Sequence, residues 1–160
     1  SQVESTALSL VASFLVLMAM TRRLSTSAVI ILPVALAGAW VVGTMAVVGL
    51  NWNVLTIMIT ALTIGLGIDY SIHMWRRFED ELEAGANRVE AMATTYSVTG
   101  TALMMSAFTT ASGFLVLLLS PVPVIQDFGF VSAASVALSL ILALFVLPAL
   151  LLSEAKSRGI

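Results

Sequence analysis

The stretch VLTIMITALTIGLGIDYSIHMW, residues 54–75, decides what kind of fold this chain can adopt. It is as long as the ~20 predominantly apolar residues that a helix needs to cross a bilayer core. Asp69 and His73 are its only Asp, Glu, Lys, Arg or His residues, and a carboxylate within such a helix costs roughly 2.5–3.5 kcal/mol on insertion scales. Asp69 is therefore predicted to be a proton or ion site. The alternative is a structural carboxylate that caps or hydrogen-bonds a neighbouring helix.

The composition places the whole chain in the same class. Of its 160 residues, 59% are hydrophobic and 10% are charged, and the mean hydropathy is +1.06. Soluble domains carry roughly 25% charged residues, so the chain is predicted to be a membrane protein. The absence of cysteine excludes disulfides and thiolate metal sites, and the few basic residues exclude nucleic-acid binding. The first residues lack an initiator Met and a basic leader, which predicts a segment of a longer protein.

Five apolar stretches are long enough, or nearly so, to span a bilayer. They are residues 5–20, 27–50, 54–75, 99–119 and 128–152. Polar or proline-containing turns separate them, including Asn51-Trp52-Asn53 and Pro121-Val122-Pro123, because proline cannot donate to a helix ladder. The sequence therefore predicts an all-α membrane protein, a bundle of five transmembrane helices forming a single domain over residues 1–160.

The charged residues indicate an orientation. Eight of the sixteen Asp, Glu, Lys and Arg residues lie in one link, about residues 76–98, and all seven basic residues fall on the same side of the five-span bundle. The positive-inside rule then places this link and the C-terminus in the cytoplasm, with the N-terminus outside. The link is predicted to be amphipathic and helical, with an interruption near Gly85. It is either a docking site or a solvated linker without a partner.

Residues three and four apart share a helix face, which groups Asp69 with Gly65 and His73. Gly65 leaves room for water or a neighbouring backbone, although it could serve ordinary close packing. Tyr70 lies about 100° round the helix from Asp69, so the two side chains cannot both face one partner squarely. Tyr70 could donate to an acid on another helix or anchor the helix at the interface. His73 could pass protons toward the cytoplasm or be merely interfacial.

The fourth span carries Ser106, Thr110 and Gly113 in one stripe, with Thr109 beside it. Such a stripe predicts the face that packs inward, where it could satisfy Asp69 or order its water. The alternative is that the hydroxyls bond their own i−4 carbonyls. One Asp and one His are too few ligands for a metal site. Gly65-x-Gly67 lacks the strand and third glycine of a dinucleotide loop.

The string Ile64-Gly65-Leu66-Gly67-Ile68-Asp69-Tyr70-Ser71-Ile72-His73, followed by Arg77-Phe78-Glu79-Asp80-Glu81, resembles the resistance–nodulation–division (RND) superfamily. The likeness is to its mycobacterial-membrane-protein-large (MMPL) and hydrophobe/amphiphile exporter branches, which also resemble Patched and the sterol-sensing domain. Ser106–Phe114, Phe128-Gly129 and the late Pro148 are similar to the next two helices of that family. The resemblance covers nearly the whole chain.

The resemblance implies that these five helices are the second to sixth of a six-helix half in a cell-membrane transporter, not an enzyme, with no cofactor. It implies proton-coupled export of hydrophobic or amphiphilic molecules, with Asp69 and Tyr70 as the proton relay. The partners would be membrane lipid, a lipid-like substrate, and the Asp-Tyr helix of a second half, in the same chain or in an oligomer. His73, Thr109 and Thr110 fall where accessory polar groups are expected. Two other functions stay open: a sterol-sensing-like lipid-binding module without transport, and a structural membrane scaffold.

Overall fold

The computed structural model describes residues 2–48 and 54–157, and all regular structure in these ranges is helical. The predicted turn at residues 51–53 lies outside the described residues. The α-helices are α1 (Gln2–Thr21), α2 (Leu24–Val48), α3 (Val54–Glu83), α4 (Arg88–Thr95), α5 (Thr101–Leu115), α6 (Pro123–Ile141) and α7 (Leu147–Ser157).

Several of these helices are continuous with one another. A π-helical turn, Tyr96–Gly100, joins α4 to α5, and a second, Leu142–Val146, joins α6 to α7. Pro148 lies two residues after the second turn and has no N–H to donate to the preceding turn of helix. A short 3₁₀ segment, Val116–Leu119, ends the α5 rod before the prolines. The fourth span is therefore part of one continuous helical rod, from α4 to the end of the 3₁₀ segment. The fifth span is a second rod, from α6 to α7.

Three described helical segments are long and apolar enough to cross a membrane: Leu24–Val47, Arg88–Leu119 and Pro123–Ser157. Ala7–Ala19 is a shorter apolar helix. The helix that carries Asp69 and His73, α3, is not among the three. The all-helical fold is confirmed over the described residues, whereas the number of five transmembrane helices stays a prediction.

The link after the third span is built from extensions of its neighbours. Instead of ending near Trp75, α3 continues to Glu83. The chain then reverses around Gly85, whose φ of 94° is readily adopted only by glycine. Asn87 starts α4 as its N-cap, with its side-chain oxygen 3.0 Å from the backbone nitrogens of both Val89 and Glu90. The charged segment is thus a helical hairpin, and Phe78, Ala91 and Met92 on its two arms pack in the apolar core of the bundle.

The third helix, α3, lies against α1, α2 and α6, and the main apolar core surrounds its second half. Phe78 and Met74 of α3 pack there with Leu147 and Leu151 from the end of the last rod. A smaller cluster, which includes Met45, lies nearer the other end of the bundle. The first half of α3 contributes Ile59 to this smaller cluster, and Thr60 and Thr63 are buried on the same half.

Six small hydroxyl side chains of α3 and α6 are buried. We call this set the hydroxyl seam, and its members are Thr60, Thr63, Ser71, Ser132, Ser135 and Ser139. The two helices are close at Gly67, where an added Cβ would lie at an ordinary contact distance of 3.6 Å from Ser139 Oγ. Small residues commonly take such positions between membrane helices because they permit close backbone packing.

Two further contacts fix the rods at their ends. Gly129 of α6 lies so close to the end of α5 that a Cβ would be 2.6 Å from the Phe114 carbonyl oxygen. At the opposite end of the bundle, Glu154 of α7 is buried and accepts hydrogen bonds from Thr26 Oγ1 at 2.5 Å and Ser25 Oγ at 3.2 Å. This carboxylate ties the last helix to the first turn of α2.

Candidate functional site

Asp69 lies on one wall of a groove of about 500 Å³ between α3 and the α4–α5 rod. The α3 wall consists of Leu66, Asp69, Tyr70 and His73. The opposite wall consists of Val98, Thr99, Ala102, Leu103, Ser106 and Thr110. Both sets follow helical spacing, so each wall is one face of one rod.

The Asp69 side chain is exposed in this chain, as is His73 one turn further along α3. The groove therefore brings together a carboxylate, an imidazole and the hydroxyls of Ser106 and Thr110 on a surface that the described helices leave open. These groups can accept and donate protons or hold water between them. Space is available beside them, because a Cβ added to Gly65 would have no neighbour within 4 Å.

Tyr70 points differently from Asp69. Its side chain is only 4% exposed and packs in the main core, yet the residue also lines the groove. Its hydroxyl is buried and has no hydrogen-bond partner among the described residues. The two neighbours diverge as the 100° step between them requires. A buried phenol without a partner is a donor that another group, or water, can still use.

The predicted stripe on the fourth span lies partly in the groove, where Ser106 and Thr110 are opposite Asp69. Ser106, Thr109 and Gly113 are exposed in the described helices, and α5 buries Leu103 and Ala107 instead, so inward packing of the whole stripe stays a prediction. Thr109 and Thr110 donate to their own i−4 carbonyls, each at 2.9 Å, as the alternative interpretation predicted.

The groove also contains residues that the sequence analysis did not single out. Thr99, Ala102 and Leu103 complete the face that begins with Ser106 and Thr110. Extending the i, i+3, i+4 pattern backward from Ser106 would have found them. Among the described residues, no group of three or more His, Asp or Glu side chains could hold a metal ion.

Comparison with known proteins identifies the family. Residues 2–158 match the model of the MMPL family. The chain is 34% identical over 156 residues to MJ1562 of Methanocaldococcus jannaschii, covering 98% of this chain and 40% of that protein. It is 31% identical over 110 residues to the hopanoid transporter HpnN of Rhodopseudomonas palustris, covering 69% of this chain and 12% of that protein. It is also 31% identical over 94 residues to the trehalose monomycolate exporter MmpL3 of Mycobacterium tuberculosis, covering 59% of this chain and 10% of that protein.

The chain thus spans less than half the length of each of these relatives. Two of the three carry transporter names, and the match to the family model extends over almost all of the chain. The chain therefore belongs to the MMPL family, within the RND superfamily as its resemblance predicted, and its apolar helices mark it as part of a multi-pass membrane protein.

Proposed function

We propose that this chain is the membrane domain of a proton-coupled secondary transporter that exports hydrophobic or amphiphilic, lipid-like molecules. The relatives HpnN and MmpL3, a hopanoid transporter and a trehalose monomycolate exporter, support the substrate class. Asp69 is the group that takes up and releases the proton. The substrate itself is recognised mostly outside these residues, in parts of the parent protein that this chain does not contain.

The observation that carries the proposal is the position of Asp69. Its carboxylate lies on the open wall of a polar groove, on a helix whose first part is apolar. A charged group left against lipid costs several kcal/mol, so intramembrane carboxylates face a bundle interior or a water-filled cavity. The described helices do not cover the groove. We infer that a second half of the transporter covers it, from the same chain or from a partner copy.

The chemistry of the groove suits a proton path. His73 lies one turn from Asp69 toward the charged hairpin, and Ser106 and Thr110 face both residues across the groove. Their hydroxyl oxygens can still accept hydrogen bonds from water while donating to the helix backbone. Tyr70 supplies a buried phenol whose O–H is free to reorganise when the second half binds. The path then runs from the covered groove along His73 toward the cytoplasm.

The topology proposed with this function has five crossings. In addition to the three strongly apolar segments, α1 and α3 cross the membrane. The membrane can accommodate α3 because Asp69 and His73 face the groove and not the lipid. The charged hairpin and the C-terminus are cytoplasmic by the positive-inside rule.

The test is Asp69→Asn in the full-length parent, reconstituted into vesicles with an imposed pH gradient. The amide keeps the size and much of the hydrogen-bonding shape of the carboxyl group but cannot cycle a proton. We expect export to stop while expression and thermal stability stay near those of the parent. Asp127→Asn is the matched control, because Asp127 is an exposed acid at the beginning of α6, away from the groove, and should transport normally.

Other outcomes separate the rival functions. Parent-rate export by Asp69→Asn under the same gradient would refute the relay. A parent that binds lipid but exports nothing under any gradient would favour the lipid-binding module. Loss of folding in Asp69→Asn, with Asp127→Asn unaffected, would favour the scaffold.

A further inference from the structure

A second cavity, of about 280 Å³, lies where the apolar parts of α1, α2 and α3 end. Its charged and aromatic lining residues are Arg23, Trp75, Arg76, Glu79, Asp80 and Glu83. It shares no lining residue with the Asp69 groove. Trp75 is the last residue of the apolar stretch 54–75, and Leu24 begins the apolar helix α2. The cavity therefore lies at the boundary between the hydrocarbon region and water, where tryptophan is enriched in membrane proteins.

The charges in this cavity follow an order along α3. Arg76, Glu79 and Glu83 stand at i, i+3 and i+7, with Asp80 between them, so they form one helix face about 10 Å long. The basic end of this face is nearer the apolar span, and Arg23, which directly precedes α2, also lines the cavity. The acidic end projects toward water. Positive charge thus lies at the membrane side and negative charge at the solvent side.

The indole of Trp75 gives independent evidence of a missing acceptor. Trp75 is 7% exposed and lines the cavity at its membrane side. Its Nε1 is buried and has no hydrogen-bond partner among the described residues. An indole N–H usually finds an acceptor when it is buried, because a buried unpaired donor has lost its hydrogen bond to water. Trp75 directly precedes Arg76 in the chain, and both residues line the cavity.

We propose that this cavity binds the headgroup of a zwitterionic phospholipid with a primary ammonium group, of the phosphatidylethanolamine class. The phosphate accepts hydrogen bonds from the guanidinium groups of Arg23 and Arg76 and from the indole N–H of Trp75. The ammonium donates to the carboxylates further along α3. Both contacts are charge-assisted, which makes them stronger than hydrogen bonds between neutral groups.

The order of groups in the lipid explains this choice. In such a lipid the phosphate is nearer the acyl chains and the ammonium is further from them. The cavity has the matching order, with its basic side chains nearer the apolar span and its acidic side chains further from it. Phosphatidylglycerol offers the phosphate but has no cation for Asp80 and Glu83. Phosphatidylcholine offers a cation without N–H donors. The proposed lipid site lies on a different surface from the Asp69 groove, and the proposal holds whether or not Asp69 carries a proton.

The test uses the full-length parent in lipid nanodiscs with trace spin-labelled phosphatidylethanolamine, phosphatidylcholine or phosphatidylglycerol. The immobilised fraction of each label reports its retention on the protein. We expect phosphatidylethanolamine to be retained roughly two- to fivefold more strongly than the other two lipids, the range of a solvent-accessible ion pair. Absence of this preference in the parent protein would overturn the proposal.

Variants of the lining residues test whether the preference for phosphatidylethanolamine arises from this cavity. Arg76→Gln and Trp75→Phe should each reduce retention of phosphatidylethanolamine, since each removes a phosphate donor while keeping most of the side chain. Asp80→Asn combined with Glu83→Gln should abolish the preference over phosphatidylglycerol.

Glu81→Gln is the matched control for these variants. Glu81 lies on the same helix but pairs with Arg77 at 2.6 Å and does not line the cavity. An equal loss of preference in Glu81→Gln would overturn the assignment to this cavity. Displacement of the spin-labelled lipid by soluble glycerophosphoethanolamine at millimolar concentration would overturn the membrane lipid as the natural occupant.

Discussion

Gly129→Ala tests how closely α5 and α6 are packed. A Cβ at this position would lie 2.6 Å from the Phe114 carbonyl oxygen and 2.7 Å from Leu117 Cβ. Neither atom is the end of a flexible side chain, so the helices themselves must move apart. Overpacking of this kind costs about 1–3 kcal/mol, whereas alanine in place of glycine within a helix returns up to about 1 kcal/mol. The net effect on the free energy of unfolding should be a loss of up to about 3 kcal/mol.

Thermal unfolding of the full-length parent in detergent, followed by far-UV circular dichroism, measures this loss. A change of about 1 kcal/mol shifts the Tm of a unit of this size by roughly 2–4 °C, so a decrease of several degrees is expected. Gly67→Ala is the matched control. It adds the same methyl group to another buried helical glycine, but the nearest atoms, Val34 Cγ1 and Cγ2, lie at an ordinary 3.5 Å. A Tm for Gly129→Ala equal to or above that of Gly67→Ala would refute the reasoning.

Three other predictions address different parts of the chain. Thr26→Val should destabilise the parent by about 1.5–3 kcal/mol, because it removes a hydrogen bond to the buried carboxylate of α7; an unchanged Tm would show that this tie is not needed. In the transport assay, Tyr70→Phe should impair export less than Asp69→Asn, because it removes a hydroxyl and no charge, and His73→Ala should impair it least; the reverse order would contradict the roles proposed. A cysteine at Val122 should react with impermeant reagents from outside intact cells, and one at Gly85 only after permeabilisation; equal labelling of both would contradict five crossings.

Local chemistry made much of the fold predictable. The prolines around Val122 end one rod and begin the next, and glycine at position 85 coincides with the reversal of the hairpin. Helical spacing also predicted that His73 lies on the same face of α3 as Asp69, and that Gly65 leaves space beside them.

The inward face of α5 was not predictable from local chemistry. Hydroxyl residues in a membrane helix serve equally for contacts between helices and for bonds to their own backbone, and only the neighbours decide between these uses. Thr109 and Thr110 bond their own carbonyls, and Leu103 and Ala107 supply the packing. The unbroken course of α3 from the third span into the link was not predictable for a similar reason. Charge predicts where a helix leaves the membrane, near Arg76, but not where the helix itself ends, at Glu83.

The close contact at Gly129 has a consequence for how the groove can change width. Because α6 touches the backbone of α5 there, the two helices cannot separate at that end without breaking their packing, and they behave as one rigid wall. A wider or narrower groove then requires α3 to shift relative to that wall. The helices that would move relative to each other, α3 and α6, carry the buried side chains of the hydroxyl seam. In it, the hydroxyls of Ser71, Ser132 and Ser139 have no hydrogen-bond partner among the described residues, so a sliding movement of α3 would break no hydrogen bond that these three groups make.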